Sequence, residues 1–269
     1  MTEAAFATSR VRLRDRTFVD VLDLSFPFTR AAFGPLAKLS LIALPLPVFV
    51  TIALGKTAGW AWAWLFALAA SGLVTAPFTV LVGQFVFEQD PSVRAALSRS
   101  AKKALTLLGV RTLLVTMTTA GAFFFVLPGV WVSAACLFAP EALLLERARV
   151  MDAIQRSTRL AGLATGDALL GWLATTLVLV AAPFLVDKVG RVFLESVLSI
   201  QPGGELLEDG GSALAVLGFW LAVPYAALVR FLLYINIRTR AEGWDIQTVF
   251  ARLGRAESEP RSSLLPERP

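Results

Sequence analysis

Four ionisable side chains stand inside or at the edge of long apolar runs. Arg230 interrupts the run from Ala213 to Ile235, Glu88 closes the run Trp60 to Phe87, and Glu141 and Glu146 lie towards the end of a run that starts at Trp131. A charge placed among hydrocarbon is expensive unless it is paired or hydrated, so such residues mark either a conducting path or a structural tie. Arg230 falls about 9 Å before the end of its run at 1.5 Å per residue, a depth similar to that of Glu141. The two are expected to pair, with Glu88 or Glu146 as alternative partners. A proton- or substrate-coupled relay is one reading of this network. A tie between helices, or Arg230 snorkelling out to the lipid headgroups, is the other.

Most soluble-type chemistry is excluded by what the chain lacks. It has no histidine and one cysteine, Cys136, itself within an apolar run. Zinc and haem sites and Ser-His or Cys-His catalysis have no standard ligand or base here. A lone thiol in such a run serves as small filler. No phosphate-binding loop and no dinucleotide-binding glycine pattern is present. No cofactor, metal or catalytic residue is expected, and the chain reads as no enzyme.

The elements that must carry these charges follow from composition. The 269 residues are 56% hydrophobic and 17% charged, where soluble domains run near a quarter charged. Much of the apolar content falls in runs long enough to cross a roughly 30 Å hydrocarbon layer. Six such segments are expected: Lys38 to Leu54 with Pro45 and Pro47, Trp60 to Phe87 with a kink at Pro77, Leu107 to Leu127, Trp131 to Leu145, Asp167 to Val186, and Ala213 to Ile235. Pro128-Gly129 reads as a tight turn between the third and fourth, or else as a broken helix lining a cavity. Residues 187–212 read as an acidic loop, and Trp60, Trp62 and Trp64 as an aromatic belt at one membrane face.

Charge orients the segments. Of the 25 basic residues, 21 fall in the N-terminal arm, the stretches 88–111 and 147–159, and the tail beyond 237; three lie in the alternate connections and one is Arg230. Basic residues are retained on the cytoplasmic face, which places both termini in the cytoplasm of a bacterial inner membrane. No secretory signal is expected, because the arginines at 10, 12, 14 and 16 are followed by Asp20, Asp23 and Pro27. The excess of +5 therefore points to a membrane surface, and nucleic acid is not an expected partner.

Two of the basic stretches read as short amphipathic helices. In Val93–Ala104, Val93, Ala96, Leu97 and Ala101 share one face; in Val150–Ala161, Val150, Ala153, Ile154 and Ala161 do. They repeat Val, Ala, Arg-Ser and Ala at an offset of 57 residues, and the stretch Phe18–Phe33 has a similar mixed character. The expected fold is all-α: six transmembrane helices in three hairpins, each preceded by an interfacial amphipathic helix. The organisation is an arm and interfacial helix (1–37), a six-helix membrane domain (38–236), an amphipathic segment (237–253) and a tail without fixed structure (254–269). Arg99, Lys102, Lys103, Arg156, Arg159, Trp244 and Phe250 are the candidate interfacial or lipid-contacting residues, the basic ones facing anionic headgroups.

Two stretches carry a family resemblance. Leu127-Pro128-Gly129-Val-Trp131, Phe138-Ala-Pro140-Glu141, Leu145-Glu146 and Ala153-Ile-Gln-Arg156-Ser157 resemble a bacterial membrane-protein group related to the membrane domain of glycerophosphodiester phosphodiesterases. Leu233-Tyr-Ile-Asn-Ile-Arg238-Thr-Arg240-Ala-Glu242-Gly243-Trp244-Asp245 looks like the ending of bacterial membrane proteins often encoded beside AAA-type ATPase and transglutaminase-like genes, with Asn236 where an acid is usual. The resemblance implies a six-helix membrane domain without a catalytic domain. The function expected is a non-enzymatic scaffold or accessory subunit in contact with the bilayer and a membrane or cytoplasmic protein partner. The alternative is a transporter or lipid-handling protein with a cavity between hairpins.

Overall fold

A computed structural model describes residues 16–88, 90–124, 126–146 and 149–242. All regular elements among them are helices, in the order α1 (Phe18–Ala31), α2 (Phe33–Ala43), α3 (Pro45–Thr57), α4 (Trp60–Phe87), α5 (Val93–Lys102), α6 (Ala104–Phe124), α7 (Val126–Ala135), α8 (Ala139–Leu145), α9 (Val150–Leu163), α10 (Thr165–Leu198), α11 (Leu206–Asp209) and α12 (Ala213–Glu242). Trp244 and Phe250 lie outside the described residues, as does the tail from 254.

Five spans are long and apolar enough to cross a membrane: Trp60–Phe87, Ala104–Phe123, Val126–Leu145, Thr165–Leu198 and Ala213–Ala241. A sixth results if α2 and α3, bent by 44° at their junction, count as one. The bend has a plain cause. Pro45 and Pro47 lack the N–H groups that would bond back into α2, so the helix restarts with Pro45 in its first turn. Pro77 behaves differently, since α4 runs unbroken from Trp60 to Phe87.

The centre of the fold is α12, 72% of whose most apolar stretch is buried, against 11% for α6 and 17% for α10. It packs against α10, α4 and α1. It comes close to the α10 backbone at Gly218, where a Cβ would stand 2.5 Å from the Ala182 carbonyl oxygen. Trp220, Phe231, Leu233 and Tyr234 of α12 are fully enclosed.

Three sequence expectations are corrected by the tertiary structure. Pro128 and Gly129 lie within α7 instead of forming a turn. Gly129 there meets α6 so closely that a Cβ would come within 2.8 Å of the Ala122 Cβ, so the glycine serves helix contact. Residues 187–198 continue α10 instead of forming a loop, which reduces the acidic connection to 199–212. Only Trp62 of the tryptophan belt is well exposed; Trp64 donates from Nε1 to the Gly210 carbonyl at 2.8 Å, and Trp60 fills the space beside Gly55 and Gly211. Hydrogen bonds at two places also fix α1 against α12. Asn236 exchanges two hydrogen bonds with the Arg16 backbone, at 3.1 and 2.9 Å, while Ser25 bonds Tyr225 Oη at 2.8 Å. Contacts at both places lay α1 alongside α12.

Candidate functional site

The run from Val126 to Leu145 is two helices, broken by a turn at Cys136–Phe138. Pro140 opens α8 and has no N–H to donate, so the chain cannot carry a helical ladder through this point. Ser157 of α9 serves the break: its Oγ donates to the Ala135 carbonyl at 2.9 Å and accepts from the Phe138 N–H at 3.0 Å. One hydroxyl thus satisfies two backbone groups that the break orphans. The turn also aims Glu141, in the first turn of α8, at α12.

There the structure brings Glu141 Oε1 to 2.5 Å from Arg230 Nε. The carboxylate is fully buried and the guanidinium side chain 18% exposed. Glu141 Oε2 and Arg230 Nη2 are buried with no hydrogen-bond partner. Glu88 and Glu146 are not part of this pair. Glu88 binds Arg99 at 2.8 Å at the surface. Glu146 gathers a second cluster: Arg156 Nε lies 3.3 Å from its Oε2, Arg238 Nη1 lies 3.2 Å from its Oε1, and the Tyr234 hydroxyl donates to Oε1. In both clusters a glutamate just past the end of a span holds the arginine of the following Arg-Ser helix.

The residue that sequence reasoning placed wrongly is Arg111. Grouped with the basic stretch 88–111, it in fact stands a third of the way along α6, inside a candidate span. Its side chain crosses to α4, donating from Nη2 to the Leu68 carbonyl at 2.7 Å. Gly72 makes the passage possible, since a Cβ there would stand 2.8 Å from Arg111 Cδ. Arg111 Nε is buried without a partner, and no carboxylate pairs with it among the described residues. The signal was present in the sequence, as a cation interrupting the run that begins at Ala104.

Arg111 and Arg230 line one cavity of about 280 Å³, together with Thr118, Thr119, Ser133 and Trp172. Its walls come from α6, α7, the Cys136–Phe138 turn, α8, α10 and α12. Two guanidinium groups and three hydroxyls face one space, and among the described residues the only carboxylate paired with either guanidinium is Glu141. Such an arrangement is suited to an anion: guanidinium N–H groups fit carboxylate and phosphate oxygens, and surplus buried positive charge is costly until it is neutralised.

Among the candidate interfacial residues, Arg99, Lys102 and Lys103 border a separate cavity between α4, α5, α8 and α12. Arg156 faces Glu146, and Arg159 is exposed on α9. Asn236 holds the Arg16 backbone, and Arg240 Nη1 lies 3.1 Å from Asp167 Oδ2. The two stretches that carry the family resemblance therefore meet in one network, through Glu146, Arg156, Tyr234 and Arg238. No cluster of His, Cys, Asp or Glu suited to a metal occurs among the described residues. Compared with protein-family models, curated proteins and solved structures, the chain finds no match.

Proposed function

We propose that this chain is a non-enzymatic, multi-pass protein of the bacterial cytoplasmic membrane that holds an amphipathic anion in the Arg111–Arg230 cavity. The observation that carries the reading is a charge imbalance: two arginines line the cavity and one carboxylate pairs with them. Both arginines keep a buried nitrogen without a partner. In a bilayer that surplus calls for an anion. Exposed Val115 and Thr119 on thinly packed α6 belong to the lining, so a ligand with an apolar tail would reach the cavity sideways from the lipid.

In this reading the spans form three hairpins with both termini cytoplasmic, and α5 and α9 rest on the inner leaflet with Arg99, Lys102, Arg156 and Arg159 towards anionic headgroups. The inward-facing charge is the basis for that orientation.

Trp172 in the cavity wall supplies the test. A brominated fatty-acid anion should quench the tryptophan fluorescence of the purified protein more than its uncharged methyl ester does. The difference should vanish in Arg111→Gln and in Trp172→Phe. Equal quenching by acid and ester would remove the anion from the proposal.

The scaffold reading keeps one observation in its favour. With 11% of its apolar stretch buried, α6 leaves most of its surface to lipid or to another membrane helix. A stoichiometric partner surviving mild-detergent purification, and lost when Leu105, Leu108 and Val115 are replaced by Ala, would favour it.

A further inference from the structure

At the basic end of the fold, a second cavity of about 550 Å³ opens between α4, α5, α8 and α12. Arg99, Lys102, Lys103 and Arg238 line it, against the single carboxylate of Glu88. Deeper in, Gln84 of α4 is 3% exposed. Its Oε1 accepts from the Ser92 N–H at 3.2 Å and so anchors the start of α5, whose cap Ser92 provides. Its Nε2 is buried and has no partner. A buried amide that leaves two N–H donors unused is uncommon, because the desolvation is uncompensated. The remaining wall is apolar: Val80, Phe87, Leu144, Leu145 and Ile235.

We propose that this cavity binds the phosphate-bearing headgroup of an anionic glycerophospholipid, with Gln84 Nε2 donating to a phosphate oxygen and the lysines supplying the surplus charge. Each part of the lining has a counterpart in that ligand. The Gln84 amide and the cations match the phosphodiester oxygens, because N–H donors and basic side chains are what phosphate selects. Basic pockets between membrane helices at this end of a protein are suited to anionic lipid headgroups. The apolar wall matches the glycerol backbone and the first acyl carbons, and a free phosphate ion would leave it unused. Glu88 offsets Arg99 at 2.8 Å and Glu146 offsets Arg238 at 3.2 Å, so the surplus positive charge of the lining comes from Lys102 and Lys103. The site is separate from the Arg111–Arg230 cavity and stands or falls without it.

The test titrates the purified full chain in a neutral detergent with short-chain phosphatidylglycerol, short-chain phosphatidylcholine and inorganic phosphate, reading bound ligand by native mass spectrometry. Phosphatidylglycerol should bind one per chain and about tenfold more tightly than phosphatidylcholine. Inorganic phosphate in large molar excess should not displace it. Gln84→Glu keeps the acceptor for the Ser92 N–H but places a carboxylate where the phosphate would sit, so phosphatidylglycerol binding should fall by about tenfold or more. Lys102 is exposed, and Lys102→Glu, which leaves the fold intact, should weaken binding by roughly fivefold or more. Equal affinity for the two lipids, or unchanged binding in both Gln84→Glu and Lys102→Glu, would overturn the proposal. Displacement by inorganic phosphate would overturn it too, by showing that a free ion fills the site.

Discussion

The Glu141–Arg230 pair offers the most direct probe of how this fold tolerates charge. At 2.5 Å and an effective dielectric of about 20, the Coulomb attraction is roughly 6–7 kcal/mol. Desolvation offsets much of that, so the net worth of the pair against a neutral replacement is small. Breaking it from one side is another matter, because an unpaired buried ion costs about 3–5 kcal/mol. The two sides should also differ. Glu141→Gln leaves Arg230 and Arg111 together in one cavity with no paired carboxylate. Arg230→Gln leaves Glu141 with Arg111 as the remaining cation of that cavity. Glu141→Gln should therefore be the more damaging single change, and the double variant Glu141→Gln with Arg230→Gln should be milder than either alone predicts. The cycle should return a coupling of about 3 kcal/mol. Unfolding in mixed micelles of increasing dodecyl sulfate fraction, followed by near-ultraviolet circular dichroism, measures it. A coupling below about 0.5 kcal/mol, or Arg230→Gln emerging as the worse single variant, would refute the reasoning.

Two further outcomes follow from packing and from the loop 199–212. Gly218→Ala puts a Cβ 2.5 Å from the Ala182 carbonyl oxygen and 2.9 Å from Val186 Cβ, and should cost about 1–3 kcal/mol through forced separation of α10 and α12. Gly190→Ala meets Leu214 at an ordinary 3.4 Å and should be nearly neutral; equal melting temperatures for the two would refute the close-approach argument. Asp187 is fully buried, accepts from the Ser212 hydroxyl and lies 3.4 Å from the Leu206 N–H. Ser212 in turn receives the Ala215 N–H at 3.0 Å at the start of α12. Asp187→Ala should cost about 1–3 kcal/mol and expose residues 199–212 to limited proteolysis. A digestion pattern identical to that of the parent protein would count against this anchoring role.

Some of this molecule was legible in a single line of letters. The bounds of α4, Trp60 to Phe87, follow from an apolar run that ends at a charged residue, since hydrophobic continuity is a local property. The bend between α2 and α3 follows from two prolines, whose missing donors act wherever they stand. The lack of histidine removes whole classes of chemistry from any fold the chain adopts. The depth shared by Arg230 and Glu141 could be counted along their segments because helical rise is fixed.

Other features depended on neighbours that sequence spacing does not reveal. Pro128-Gly129 has the composition of a turn, but proline is tolerated in a helix's first turn, and the glycine is needed where α7 touches Ala122 of α6. The true break comes at Cys136–Phe138, where a serine 19 residues from Phe138 supplies the missing hydrogen bonds. Arg111 belongs by sequence to a basic stretch and by position to a cavity, and the difference rests on a route over Gly72. Residues 187–198 carry loop-like charge yet stay helical, with Asp187 and Arg191 turned towards 202–212. Local composition thus determined which segments are helical and apolar. Only tertiary structure decided which charges share a cavity, because that depends on which helices lie side by side and how closely their backbones approach.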